Sequence, residues 1–175
     1  NNSLNDANGN GQITVMASAA MLNFHKPIHK NLNDSKKLSP KMRYEVLMEL
    51  KKFTYFGIGE ASNFEIDKYG INQSTFFAME RALKDLIKKN NEIKLSTILI
   101  DGTIRPTFKN TFGADIKLIK KGDTISSSIA AASIFAKHTR DMMMCEMDKV
   151  HNGYGFRTNM GYGTKQHKEN LLISG

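Results

Sequence analysis

The chain has 175 residues, 40% of them hydrophobic, a size that suits one domain with a core and no disulfide staples; its single cysteine, Cys145, has no internal partner. Lys and Arg total 25 against 17 Asp and Glu, and the formal net charge of +8 favours polyanionic partners bound with a salt-dependent affinity. No apolar run approaches the ~20 residues that cross a bilayer, and residues 1–11 are too polar for a secretory leader, so a chain with no membrane contact in a reducing, cytoplasmic setting is expected.

In chain order, residues 13–22 (ITVMASAAML) are small and apolar and predict a buried strand or a short helix. Residues 26–38 are polar and basic and predict a loop. Ser39-Pro40 is a helix start, a capping serine followed by proline at the first helical position, and the stretch 42–53 puts Val46, Leu47 and Leu50 on one face. Residues 56–61 (FGIGEA) predict a strand. Residues 73–89 predict an amphipathic helix with Phe76, Met79, Leu83, Leu86 and Ile87 on its apolar side. A short buried strand at 97–100 (TILI) ends at Asp101, and another at 116–119 runs into Lys121-Gly122-Asp123. Residues 126–150 predict a long helix, small and apolar in its first half and Met-rich in its second, and the Gly- and aromatic-rich stretch 153–163 predicts a loop. Strands alternating with helices over 1–175 predict a single α/β domain.

Asp101 follows an apolar strand, and Asp123 stands just before a long helix. Carboxylates at the ends of neighbouring strands can converge on one point, and hard divalent cations take oxygen ligands. Two such ions about 4 Å apart activate water and stabilise a leaving oxygen in phosphodiester cleavage. From the local pattern alone, the favoured reading is Asp101 as a turn former and Asp123 as a helix cap.

Five segments in order resemble ribonuclease HII, the type 2 ribonuclease H family: NDSKKLS at 33–39, IDG at 100–102, KGD at 121–123, SIAAASIFAKHTRD at 128–141 and GYGTKQH at 161–167. The likeness implies an α/β ribonuclease H-like fold with a mixed central β-sheet flanked by helices. It implies an endoribonuclease that cuts the RNA strand of RNA–DNA hybrids and single ribonucleotides embedded in duplex DNA. The cut falls 5′ of the ribonucleotide and leaves a 3′-hydroxyl and a 5′-phosphate. It also implies Mg²⁺ or Mn²⁺ held by four carboxylates, of which Asp101 matches the third and Asp123 the fourth. Tyr162 matches the family tyrosine that stacks on the sugar after the junction. Ser35, Lys36 and Lys37 match a segment near the DNA backbone, where ammonium groups suit phosphate contact. Lys165 and His167, beside Tyr162, are backbone contacts or plain loop residues, and Lys165 is the binding candidate of the two. Asp141 matches a recurrent aspartate expected to form a salt bridge. His138 and His151 have no evident role as ligands.

The family's first motif, Asp-Glu-Ala-Gly-Arg-Gly, supplies two metal carboxylates and a backbone that reads the 2′-hydroxyl. This chain has Asp6, Ala7, Asn8, Gly9, Asn10 and Gly11 there. Asp6 is therefore a metal and catalytic candidate, and Gly9, Asn10 and Gly11 are substrate-binding candidates, while the glutamate and arginine are replaced by Ala7 and Asn10. Three carboxylates hold two divalent ions less well than four, so the likeness also allows a catalytically impaired protein that binds hybrid duplexes without efficient cleavage. Asp6, Asn8, Asn10 and Gly11 overlap the opening of an EF-hand-type calcium loop, but Ala17 occupies the position of its bidentate glutamate. The family continues with a further C-terminal segment where this chain stops at Gly175, and a monomer is the expected state.

Overall fold

The computed structural model describes residues 14–23, 32, 38–108 and 112–174. The elements run β1 (Val15–Leu22), α1 (Pro40–Leu50), β2 (Thr54–Ala61), α2 (Asn63–Lys89), β3 (Thr97–Asp101), β4 (Asp115–Ile119), α3 (Gly122–Ile125), α4 (Ser127–Val150), α5 (Phe156–Asn159) and α6 (Lys165–Ser174). Among the described residues no helix is long and apolar enough to cross a membrane. The stretch 13–22, open between strand and helix in sequence, is the strand β1, and residues 26–31 and 33–37 of the expected basic loop lie outside the described residues.

Strand pairing is mixed. β1 and β2 are antiparallel, with Ser18 opposite Ile58, and β3 and β4 are parallel, with Ile100 opposite Leu118. Each pair is a two-stranded sheet. The two pairs flank an apolar cleft of about 550 Å³, lined by β1 from Met16 to Leu22, by β3 down to Asp101, and by Ile129 and Ala132 of α4.

α1 starts where the sequence places it: the Ser39 hydroxyl accepts the Met42 N–H, Pro40 occupies the first turn, and Val46, Leu47 and Leu50 are buried. α2 begins ten residues earlier than its apolar periodicity suggests, at Asn63 rather than Gln73. Ser62 and Glu65 form a reciprocal capping box, a local S-x-x-E signal that periodicity alone passes over. Gly70 (φ 78°) kinks the helix, and the buried face starts only at Ser74, which is why the first segment shows no core pattern.

β2 carries Gly57 and Gly59 because α2 lies on its backbone. A Cβ on Gly57 would stand 2.1 Å from the Ala82 carbonyl oxygen, and one on Gly59 2.1 Å from that of Ala78. Asp85 of α2 accepts the Ile58 N–H at 2.9 Å, which satisfies a strand amide with a helix side chain.

The small residues of α4 let it approach closely. Ala130, Ala131, Ile134 and Phe135 are buried against Leu22, Leu38 and the apolar face of α1, and Phe135 stacks on Phe56 at 4.1 Å between centroids. The Met-rich half, Met143, Met144 and Met147, packs on Phe156. The expected loop 153–163 contains the short helix α5, and a further helix, α6, follows it. Both were missed because their stabilising contacts are distant: Phe156 packs on α4, and the buried His167 ring lies 3.1 Å from the Tyr154 carbonyl oxygen through Nδ1.

Candidate active site

Asp101 is the last residue of β3, and its Oδ1 accepts the backbone N–H of Gly122 at 2.7 Å. This bond fastens the end of one parallel strand to the turn that follows the other. Lys121 enters that turn with a left-handed backbone (φ 56°), a strained state for a residue bearing a side chain. The turn leads directly into α3, whose second residue is Asp123, only 3% exposed. A Cβ on Gly122 would stand 2.5 Å from Ile129 Cδ1, so glycine leaves room for that side chain of α4, while Asp101 Cα, 3.5 Å from the same point, is at ordinary contact distance. Asp101 and Asp123 therefore stand at the C-terminal end of the β3–β4 pair, and Asp101 borders the cleft shared with β1.

Carboxylate oxygens are the donors that hard divalent cations take, so Asp101 and Asp123 fit such an ion in chemistry. They do not complete a site: among the described residues no group of three or more His, Cys, Asp or Glu is placed to hold a metal ion. Asp6, the third candidate, lies outside the described residues, as do Gly9, Asn10, Gly11, Ser35, Lys36 and Lys37 and the EF-hand-like pattern.

Tyr162 is 59% exposed. Its N–H donates to the Asn159 carbonyl at 2.9 Å, and its own carbonyl accepts the Thr164 N–H at 2.7 Å. Met160 (φ 51°) and Gly161 (φ 76°) turn the chain just before it. The buried Asn159 holds this turn from inside: its Nδ2 donates to the Tyr154 carbonyl at 2.7 Å and its Oδ1 accepts the Gly161 N–H at 2.8 Å. Sequence reasoning missed Asn159, since an asparagine in a glycine loop carries no mark of burial.

Two cations of α4 approach the Tyr162 ring, Lys137 with Nζ 5.9 Å and Arg140 with Cζ 5.7 Å from its centroid. Neither was singled out in the sequence. One signal was available: positions 137 and 140 are three apart and share a helix face. Asp141 forms ion pairs with Arg43 at 3.1 Å and Lys137 at 2.5 Å, the structural role expected of it. Arg43 also donates to the Leu38 carbonyl at 3.2 Å, which fixes the end of the SKKLS segment to α4. Lys165 opens α6 with its side chain 91% exposed and Glu169 at 3.8 Å, whereas His167 turns inward. His138 lies against Tyr44, and burial, reinforced by Lys51, lowers its pKa from the usual value.

A family model described as ribonuclease HII matches residues 9–175. A ribonuclease HII of Wolbachia pipientis wMel is 40% identical over 161 residues, covering 92% of this chain and 77% of that protein. One from Fusobacterium nucleatum is 39% identical over 172 residues, covering 97% and 78%. Among solved structures, the PCNA:RNase HII complex from Archaeoglobus fulgidus aligns with a TM-score of 0.68 at 18% identity over 91% of this chain and 79% of that one. Bst-RNase HIII in complex with Mn²⁺ aligns with the same TM-score at 16% identity, over 93% and 65%. The fold is thus ribonuclease H-like, with helices packed about mixed strands.

Proposed function

This chain belongs to the ribonuclease HII family, a family of ribonuclease H-type nucleases, and from that premise we propose that it hydrolyses the RNA strand of RNA–DNA hybrids and single ribonucleotides embedded in duplex DNA, cutting 5′ of the ribonucleotide. The observation that carries this is Asp101, which borders the cleft at the end of β3 and accepts the N–H of Gly122, the residue before the buried Asp123, in a basic domain. Asp101, Asp123 and Asp6 would hold Mg²⁺ or Mn²⁺, a Mn²⁺ complex being known for the structurally similar Bst-RNase HIII. A divalent ion bound there supplies Lewis acidity and a water of lowered pKa.

The chain's own residues bind and orient. Tyr162 offers an exposed ring face to the sugar beyond the junction, a flat surface that suits deoxyribose. The amides of Gly9 and Gly11, with Asn10 between them, contact the ribonucleotide 2′-hydroxyl. Ser35, Lys36, Lys37 and Lys165 contact the phosphate backbone and fix register without reading sequence. The chain acts as a monomer in the cytoplasm.

Ala7, where the family has glutamate, supports a second function: binding of hybrid duplexes without efficient cleavage. A DNA duplex bearing one ribonucleotide, incubated with Mg²⁺ or Mn²⁺, separates the two. Cleavage 5′ of the ribonucleotide is the expected result. No cleavage by the natural chain, with cleavage by Ala7→Glu and tighter binding of the ribonucleotide duplex than of all-DNA duplex by the natural chain, establishes the binding function instead. No cleavage by either, and equal affinity for all-DNA duplex, overturns both.

A further inference from the structure

Arg140 is the point where three parts of the molecule meet. Its Nη1 donates to the Thr14 carbonyl at 3.3 Å, and its Nη2 donates to the Met160 carbonyl at 3.4 Å. Thr14 leads into β1, and Met160 is the left-handed residue that turns the chain toward Tyr162. The guanidinium carbon lies 5.7 Å from the Tyr162 ring centroid. Arg140 makes no ion pair among the described residues, so its charge is spent on backbone carbonyls and on the ring, while Lys137 and Arg43 share Asp141. The contact is close: a Cβ on Gly161 would stand 3.3 Å from Arg140 Nη2 and 3.1 Å from Met144 Sδ.

We propose that Arg140 is a positioning residue for Tyr162, its guanidinium bridging the Thr14 and Met160 carbonyls so that the tyrosine ring is held at a fixed place relative to the start of β1. The proposal rests on the role of Tyr162 given above. The chemistry calls for arginine. A planar fork of donors reaches two carbonyls at once and presents a flat face to a ring, whereas an ammonium is a point donor on a flexible stem. Met160 and Gly161 both take positive φ and the hydrogen bonds to Asn159 shape the turn locally, so the tether from α4 fixes where that turn sits relative to β1. Fixing the ring in advance lowers the ordering cost of stacking on a sugar.

The test compares Arg140→Lys, Tyr162→Ala and the double variant by amide hydrogen exchange and by affinity for a duplex with one ribonucleotide against the same duplex in all-DNA form. The Gly161 and Tyr162 amides are hydrogen-bonded within the turn, so their exchange reports its fixation. Arg140→Lys is expected to speed exchange of these two amides about tenfold or more, with the α4 amides unchanged. It is also expected to lose preference for the ribonucleotide duplex, and the double variant should be no weaker than Tyr162→Ala alone. Unchanged exchange at Gly161 and Tyr162, or additive losses in the double variant, overturns the proposal. If the natural chain shows no preference for the ribonucleotide duplex, the role of Tyr162 fails, and exchange still decides whether Arg140 holds the turn. Should Arg140→Lys fail to fold, Arg140→Gln, which keeps a donor but lacks the guanidinium fork, is read in the same way.

Discussion

Gly122 donates its backbone N–H to Asp101 Oδ1 at 2.7 Å, so the carboxylate at the end of β3 is fixed by the turn that delivers Asp123. A carboxylate oriented by a backbone donor loses little freedom when it binds a cation or a reacting group. The turn depends on its sequence, with Lys121 in a left-handed conformation and a glycine where a side chain would meet Ile129.

Asp101→Asn and Asp123→Asn are each expected to lower metal-dependent cleavage by about a hundredfold or more, the scale on which key electrostatic groups act. Both asparagines keep the shape, so thermal melting checks that the fold persists. Cleavage within a few-fold of the natural chain would remove the residue concerned from the site.

Tyr162→Ala should weaken binding to a duplex with one ribonucleotide by about tenfold, a loss of the order seen when an aromatic ring that stacks on a base is removed, about 1–3 kcal/mol. Tyr162→Phe keeps the ring and should keep most of the affinity. Fluorescence anisotropy titrations at fixed salt measure both, and equal effects of the two substitutions would point to the hydroxyl instead of the ring face.

Gly57→Ala and Gly59→Ala should each cost about 3 kcal/mol or more of stability, because the new methyl meets helix backbone that cannot rotate away. Gly70→Ala meets nothing within 4 Å, but its backbone (φ 78°, ψ 162°) lies in a region essentially reserved to glycine and imposes about 1–3 kcal/mol of strain. Urea denaturation of the three variants orders them, and a Gly57→Ala protein as stable as Gly70→Ala would contradict the close approach of α2 to β2.

Glu65 predicts a pH effect on stability. The Arg81 guanidinium, hydrogen-bonded to it at 2.6 and 2.8 Å, outweighs burial and lowers its pKa from 4.5 to about 2, with the Ser62 amide assisting. A carboxylate with a depressed folded-state pKa stabilises fully above its unfolded pKa, and that stabilisation is lost as pH falls through the folded value. The window therefore runs from about 4.5 down to about 2. Because the Arg81 side chain is 47% exposed, solvent screening holds the gain to about 0.2–1 kcal/mol. Arg81→Met should flatten the acid limb of a stability–pH profile, and superimposable limbs would refute the assignment.

Local signals carried much of the fold. Ser39-Pro40 started α1, apolar runs ended β3 at Asp101 and β4 at Ile119, and one small-residue stretch gave the first half of α4. Their information lies within one or two helical turns or one strand, where spacing and caps act directly. The same locality hid the start of α2, because Gly70 separates a capped polar turn from the buried face.

By itself, the sequence determined the family, the order of its motifs and the identity of Asp101, Asp123 and Tyr162 as candidates. Residue type and position along the chain suffice for that. Only the tertiary structure decided that Gly122 orients Asp101, that Asn159 and His167 face inward, and that Lys137 and Arg140 gather at Tyr162. Those relationships join groups from different elements, and no local periodicity encodes which distant carbonyl or ring a guanidinium will meet once the core has packed.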